Sequence, residues 1–184
     1  KMESRLRRER YAGYIDVNCI VNSNGIYPLE FTSRFGYPTI MIQQEGITMP
    51  IGEFLYQLAD GTLTRFKARS GFQVGVRVVV PPFPFNDKET FERNSRDAVI
   101  FFKKPNREGV HIEDVKQVAG EWYVTGGSGV VLTVVGTGPT MRQAQRQAYS
   151  RIDNIMIPNM YYRKDIGDRW YEDHDRLHSW GYLR

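Results

Sequence analysis

Cysteine is nearly absent from this 184-residue chain: Cys19 stands alone, which excludes an internal disulfide framework and a multi-thiolate metal site, and a reducing compartment is expected. No run approaches the ~18 consecutive apolar residues of a membrane-spanning helix. The start, KMESRLRRER, has a basic head but no apolar stretch behind it, so it is not a secretory signal. Charge of one sign is scarce as well. The net charge is +4, and residues 3–10, with four arginines and two glutamates, supply half of it, so the near-neutral remainder argues against a nucleic-acid face acting through SRLRRER. With 17 Gly and 9 Pro against 41% hydrophobic residues, the composition is too rich in core-forming residues for a disordered segment. A folded domain, or two small ones, is implied. The chain opens on Lys1 and runs almost at once into strand-like sequence, as a piece of something longer would.

Periodicity sets the order of elements. Residues 3–10 read as the end of a helix. YIDVNCIVNSNGIYPLEF reads as two strands turning at Asn24-Gly25, a pair that tolerates positive φ. Ile51, Phe54, Leu55 and Leu58 recur at helical spacing behind Pro50, and Asp60-Gly61 closes that helix. From Phe72 the period shortens to two, until Pro81-Pro82 breaks the ladder; residues 86–96 read as polar loop with a possible short helical turn. Ala98–Phe102, Glu121–Thr125 and Gly129–Val135 are further strands. Thr140 caps the clearest helix, 141–155, with Gln143 at the capping-box position and Met141, Ala144, Ala148, Ile152 and Ile155 along one face. The tail after Tyr161 is expected to be ordered coil with a short helix. These patterns predict an α+β fold: an antiparallel hairpin with helices over 1–70, then an antiparallel β-rich domain over 71–184 with one covering helix.

Three residues draw attention for their chemistry. Glu30 ends a hairpin strand, Thr32 lies two residues on and so on the same face, and Arg34 follows in a turn bounded by Gly36. A carboxylate suits a hard cation and a guanidinium suits phosphate or carboxylate oxygens, so the trio can hold a Mg²⁺–phosphate unit; a surface ion pair is the plain alternative. Asp16 and Asn18 share a face of the first strand, where Asp16 is either a second cation ligand or a solvent-facing residue. His174 and His178, four apart near Asp173 and Asp175, make an incomplete metal site and read better as a solvated helix. The Gly126-Gly127-Ser128-Gly129 run reads as a tight turn, because no helix follows to complete a phosphate cradle. Arg163 and Asp165 read as an internal tie that seats the tail.

The string GYIDVNCIVNSNGIYPLEFTSRFGYP resembles the end of the ATP-grasp domain in the phosphoribosylamine–glycine ligase family, through Tyr11, Gly13, Glu30, Phe31, Arg34, Phe35, Gly36 and Pro38. VTGGSGVVLTVVGTGPTMRQAQRQAY is similar to that family's glycine-rich strand, second strand and following helix, and Tyr162, Arg163, Asp165, Ile166 and Gly167 reproduce its arginine-x-aspartate-isoleucine-glycine signature. The resemblance implies the C-terminal half of an ATP-dependent carboxylate–amine ligase of purine biosynthesis. It also implies ATP and Mg²⁺ (or Mn²⁺) as cofactors, Glu30 and Thr32 as metal-binding residues, Arg34 beside the phosphates or substrate, a cytoplasmic location, and neither nucleic acid nor membrane as partner. Thr32 stands where the family has asparagine, and Tyr37 and Thr39 where it has aspartate and glutamate. The implied fragment is therefore inactive alone, its ATP and substrate contacts completed by an N-terminal half. The alternative is a non-catalytic binding or interaction module that kept the fold and lost the site.

Overall fold

The computed structural model describes residues 2–183, and these divide into two compact units: residues 2–69 with 176–183, and residues 70–175. In the first unit, α1 (Glu3–Arg8) precedes the antiparallel hairpin of β1 (Asp16–Asn22) and β2 (Gly25–Thr32). The hairpin forms as the alternation predicts, but its two-residue loop is Ser23-Asn24, one position before the expected Asn24-Gly25. The reason is local: the Asn22 side-chain oxygen accepts the Asn24 N–H at 2.8 Å, an Asx-type turn that needs no left-handed residue. Helices α2 (Thr39–Gly46) and α3 (Ile51–Ala59) follow, with Pro50 as the N-cap of α3 and Asp60 and a left-handed Gly61 ending it. Only Phe54 of the predicted apolar stripe on α3 is buried, its ring meeting Phe66 edge-on at 5.7 Å.

The second unit is built on two antiparallel sheets. One has the order β3-β8-β5, with β3 (Phe72–Val79), β8 (Val130–Gly138) and β5 (Val110–Ile112); the other has the order β6-β7-β4-β9, with β4 (Val99–Phe102), β6 (Val115–Val118), β7 (Glu121–Val124) and β9 (Ile155–Met156). Val74, Val76 and Val78 point from β3 into one core with Leu132 and Val134 of β8 and Ala144, Ala148 and Ile152 of α5 (Met141–Ile152). Helix α5 lies directly on the sheet, because Gly136 leaves room for it: a Cβ there would stand 2.2 Å from the Ala144 carbonyl oxygen and 2.3 Å from the Ala148 nitrogen. Thr140 caps α5, its hydroxyl accepting the Gln143 N–H, as the sequence predicts.

Four expectations need correction. Helix α5 stops at Ile152, not 155, because Asn154 is drawn into hydrogen bonds with the backbone of Lys104 and Asn106, and Ile155 then pairs with Phe102 as β9. The 86–96 segment carries a regular helix, α4 (Lys88–Asn94), capped by Asp87 and anchored by the buried Phe91. The tail forms an eleven-residue helix, α6 (Arg169–Ser179), longer than the short helix expected, and the boundary between the two units falls inside it. The exposed Arg163–Asp165 pair is not what seats the tail; Tyr149 and Gln145 of α5 do so, through hydrogen bonds to Arg163, Ile166 and Asp168. Among the described residues no helix is long and apolar enough to cross a membrane.

Candidate functional site

Cross-strand register decides which side chains of the hairpin meet. Asp16 pairs with Thr32 and Asn18 with Glu30, so the four project from one face. Asn18 Nδ2 donates to Glu30 Oε1 at 3.0 Å, which fixes one oxygen of that carboxylate and leaves the other to a ligand. A bulge between Asn18 and Cys19 ends this polar stretch. Behind it, Val17, Leu29 and Phe31 form an apolar face, and Leu29 is 63% exposed.

The turn after β2 then folds back on β1. Gly36 is buried, and a Cβ at that position would lie 2.8 Å from Asp16 Oδ2, so only glycine lets the Arg34-Phe35-Gly36 backbone approach the carboxylate this closely. Phe35 is held by the Tyr14 ring, 4.9 Å between centroids, and Arg34 Nη1 donates to the Phe35 carbonyl at 3.0 Å. The structure thus brings Glu30 and Thr32 onto one face and adds Asp16 to them. Arg34 is in the adjoining turn, where it is exposed. Asp16 is the residue whose place the sequence left undecided, since its contact with Gly36 spans twenty positions and leaves no periodic trace.

Glu30, Asp16 and the Thr32 hydroxyl are all oxygen donors, the type a hard divalent cation takes. Among the described residues no group of three or more His, Cys, Asp or Glu side chains is gathered as a metal cluster, so a cation at the hairpin would complete its shell with non-protein oxygens. His174 and His178 form no such group either; His174 instead contacts the Trp170 carbonyl and Asp175.

The glycine-rich run is structural. Gly126, at φ +75°, lies against the Asp114 carboxylate, which Ser128 Oγ also reaches at 2.7 Å, and Gly129, at φ +76°, abuts the Val80 carbonyl. In the arginine-x-aspartate-isoleucine-glycine segment, the Arg163 guanidinium hydrogen-bonds the Asp165 carboxyl and holds it below the usual carboxylate range.

This α+β arrangement is that of the C-terminal portion of ATP-grasp enzymes. It superposes on a crystal structure of the phosphoribosylamine–glycine ligase of Thermotoga maritima with a TM-score of 0.64 at 24% identity, over 88% of this chain and 39% of that one. It also superposes on the biotin carboxylase subunit of a pyruvate carboxylase with a TM-score of 0.57 at 14% identity, over 92% of this chain and 41% of that one. The chain is related to the C-terminal part of phosphoribosylamine–glycine ligases. Residues 88–169 match the phosphoribosylglycinamide synthetase C domain. The Mycobacterium leprae ligase is 30% identical over 164 residues, 88% of this chain and 36% of the relative, and the Neisseria meningitidis ligase is 28% identical over 162 residues, 86% and 37%. The chain therefore spans about a third of the length of the curated relatives it matches.

Proposed function

We infer that this chain supplies the metal-and-phosphate end of an ATP-grasp carboxylate–amine ligase site, of the type that joins phosphoribosylamine to glycine. In this reading residues 1–70 are the end of the ATP-grasp domain and 71–184 the β-rich C-terminal domain. The observation that carries it is the polar hairpin face, with Glu30 positioned by Asn18, Thr32 opposite Asp16, and Asp16 packed on Gly36. Glu30, Thr32 and Asp16 would hold Mg²⁺ or Mn²⁺, which neutralises phosphate charge when bound, and Arg34 would take a phosphate or substrate oxygen. The apolar reverse face of Val17, Leu29 and Phe31 fits a hairpin that further elements cover. Such elements, outside residues 1–184, would provide the adenine and most phosphate contacts. The activity is one of the cytoplasm, with no role for nucleic acid or membrane.

Thr32, Tyr37 and Thr39 favour a second reading, a binding module that kept this fold without catalysis, because a hydroxyl is a poorer cation ligand than an amide oxygen and two carboxylates are missing from the family string. Calorimetry of the 184-residue chain with Mg²⁺ and ATP tests the incomplete-site reading. Weak binding is expected; sub-micromolar affinity, worth about 8 kcal/mol or more, would show a complete site and overturn it.

A further inference from the structure

The sheet β6-β7-β4-β9 turns one face to the core and the other outward, and the outward face is apolar along its middle. On β4, Ile100 is buried in the core, while Val99 and Phe101 alternate with it and are 41% and 53% exposed. Register carries the stripe to both neighbours: Val99 pairs with Tyr123 of β7, and Phe101 with Met156 of β9, itself 51% exposed. Val99, Phe101, Met156, Pro158 and Met160 wall an open groove of about 440 Å³ on this face. A contiguous apolar stripe with polar flanks marks an association surface. Pairing through the sheet edge is closed off, because β9 has only two residues and Pro158 follows almost at once, so a partner must come to the face.

The charges on the two flanks identify the occupant. On the β7 flank, the register that pairs Val99 with Tyr123 and Ile100 with Trp122 runs on to bring Glu121 beside Phe101. On the β9 flank, Lys103 lies two residues beyond Phe101, its N–H donating to the Asn154 carbonyl at 2.9 Å and its ammonium to the Asp153 backbone carbonyl at 2.5 Å. Among the described residues neither Glu121 nor Lys103 has an ion-pair partner. Lys116, which pairs with Tyr123 on the same face, is already held by Asp97 at 2.5 Å. The stripe thus has an unpaired acid on one flank and an unpaired base on the other. Turned over about a two-fold axis running along β4, a second copy lays its β9 flank over this β7 flank. Phe101 then lies over its own counterpart, and Glu121 of each copy faces Lys103 of the other, so the surface complements itself.

We propose that this face is a homodimer interface, in which two copies of the chain pack β4 over β4, sheet face to sheet face. An apolar centre this narrow falls short of the roughly 800 Å² per partner of a standard interface, so a reversible dimer with a Kd on the order of 10 μM is expected. The face lies wholly within residues 70–175 and is independent of the hairpin reading, so its failure would leave that reading untouched.

Sedimentation velocity of the 184-residue chain, from about 1 to about 500 μM, tests it. The chain is expected to pass from monomer to dimer across that range. Phe101→Glu sets like charges against each other at the axis and should weaken association about tenfold or more; Met156→Glu should do the same, with circular dichroism checking that both variants keep the fold. Glu121→Lys and Lys103→Glu should each weaken the dimer about threefold or more, and the double variant should return its Kd to within about twofold of the original. A chain that stays monomeric throughout would overturn the proposal. So would a dimer that Phe101→Glu and Met156→Glu leave intact, including one that dissolves only in Leu29→Glu, on the hairpin. A double charge variant no tighter than either single one would overturn the two-fold arrangement.

Discussion

Glu30 shares one oxygen with Asn18 and presents the other, so replacing it with Gln preserves shape and removes only charge. In an ATP-dependent ligase containing this chain, Glu30→Gln is expected to lower kcat by on the order of 10², about 2.7 kcal/mol of barrier, because the metal that neutralises phosphoryl charge loses its carboxylate. Thr32→Asn, which supplies an amide oxygen, should leave kcat unchanged or raise it; steady-state kinetics of the two variants checks both. Gly36→Ala places a methyl 2.8 Å from Asp16 Oδ2 and should weaken cation binding by displacing that carboxylate. Tyr149, in the unit of residues 70–175, is bonded on both sides of its hydroxyl. Its hydroxyl donates to the Arg163 carbonyl and accepts from the Ile166 N–H, both at 3.1 Å, and burial pushes its phenol above the usual value. A raised folded-state value means the stabilisation is full below about pH 10 and is lost as pH rises through the folded-state value. Thermal melts should therefore show an alkaline destabilisation that Tyr149→Phe reduces. Glu30, Thr32 and Arg34 were legible in the sequence as neighbours on one strand and its turn. The approach of Asp16 to Gly36 was not, because it joins two positions with no shared period.

Long elements with a strong period were readable, and of the short ones held by tertiary contacts only β4 and β7 were. β3 and α5 each bury one periodic set of positions and β8 is buried over seven consecutive residues, and each begins within a residue of where the sequence predicts. β5, β6 and β9 have three, four and two residues, too few to show a period, and they exist because neighbouring strands complete their hydrogen bonds. The end of α5 illustrates the same competition, since Asn154 trades a further helical turn for bonds to the Lys104–Asn106 backbone. Thr140→Ala removes the α5 cap and should cost about 1 kcal/mol in denaturant unfolding followed by circular dichroism. Gly136→Ala is far more severe, because the contact it would violate is with helix backbone that cannot rotate away; a loss of about 3 kcal/mol or more is expected in the same measurement.

At the scale of the whole molecule, the chain holds two compact units, and it matches about a third of the length of its curated relatives. The unit of residues 70–175 carries a continuous apolar core of its own, whereas the hairpin of the other leaves Val17, Leu29 and Phe31 exposed beside its oxygen-rich face. That contrast is what a chain contributing one end of a larger site would show, and composition alone does not reveal it, since the same apolar residues count toward the total whether they are covered or not. The central claim is that the hairpin face takes the cation. Paramagnetic relaxation by Mn²⁺, read residue by residue on the full chain, tests it directly. The account predicts that the amides of Asn18, Glu30 and Thr32 broaden first, that Mg²⁺ reverses the effect, and that Glu30→Gln abolishes it. Broadening centred on other acidic residues, such as Asp114 or those of α6, or broadening that persists at the hairpin in Glu30→Gln, would contradict it.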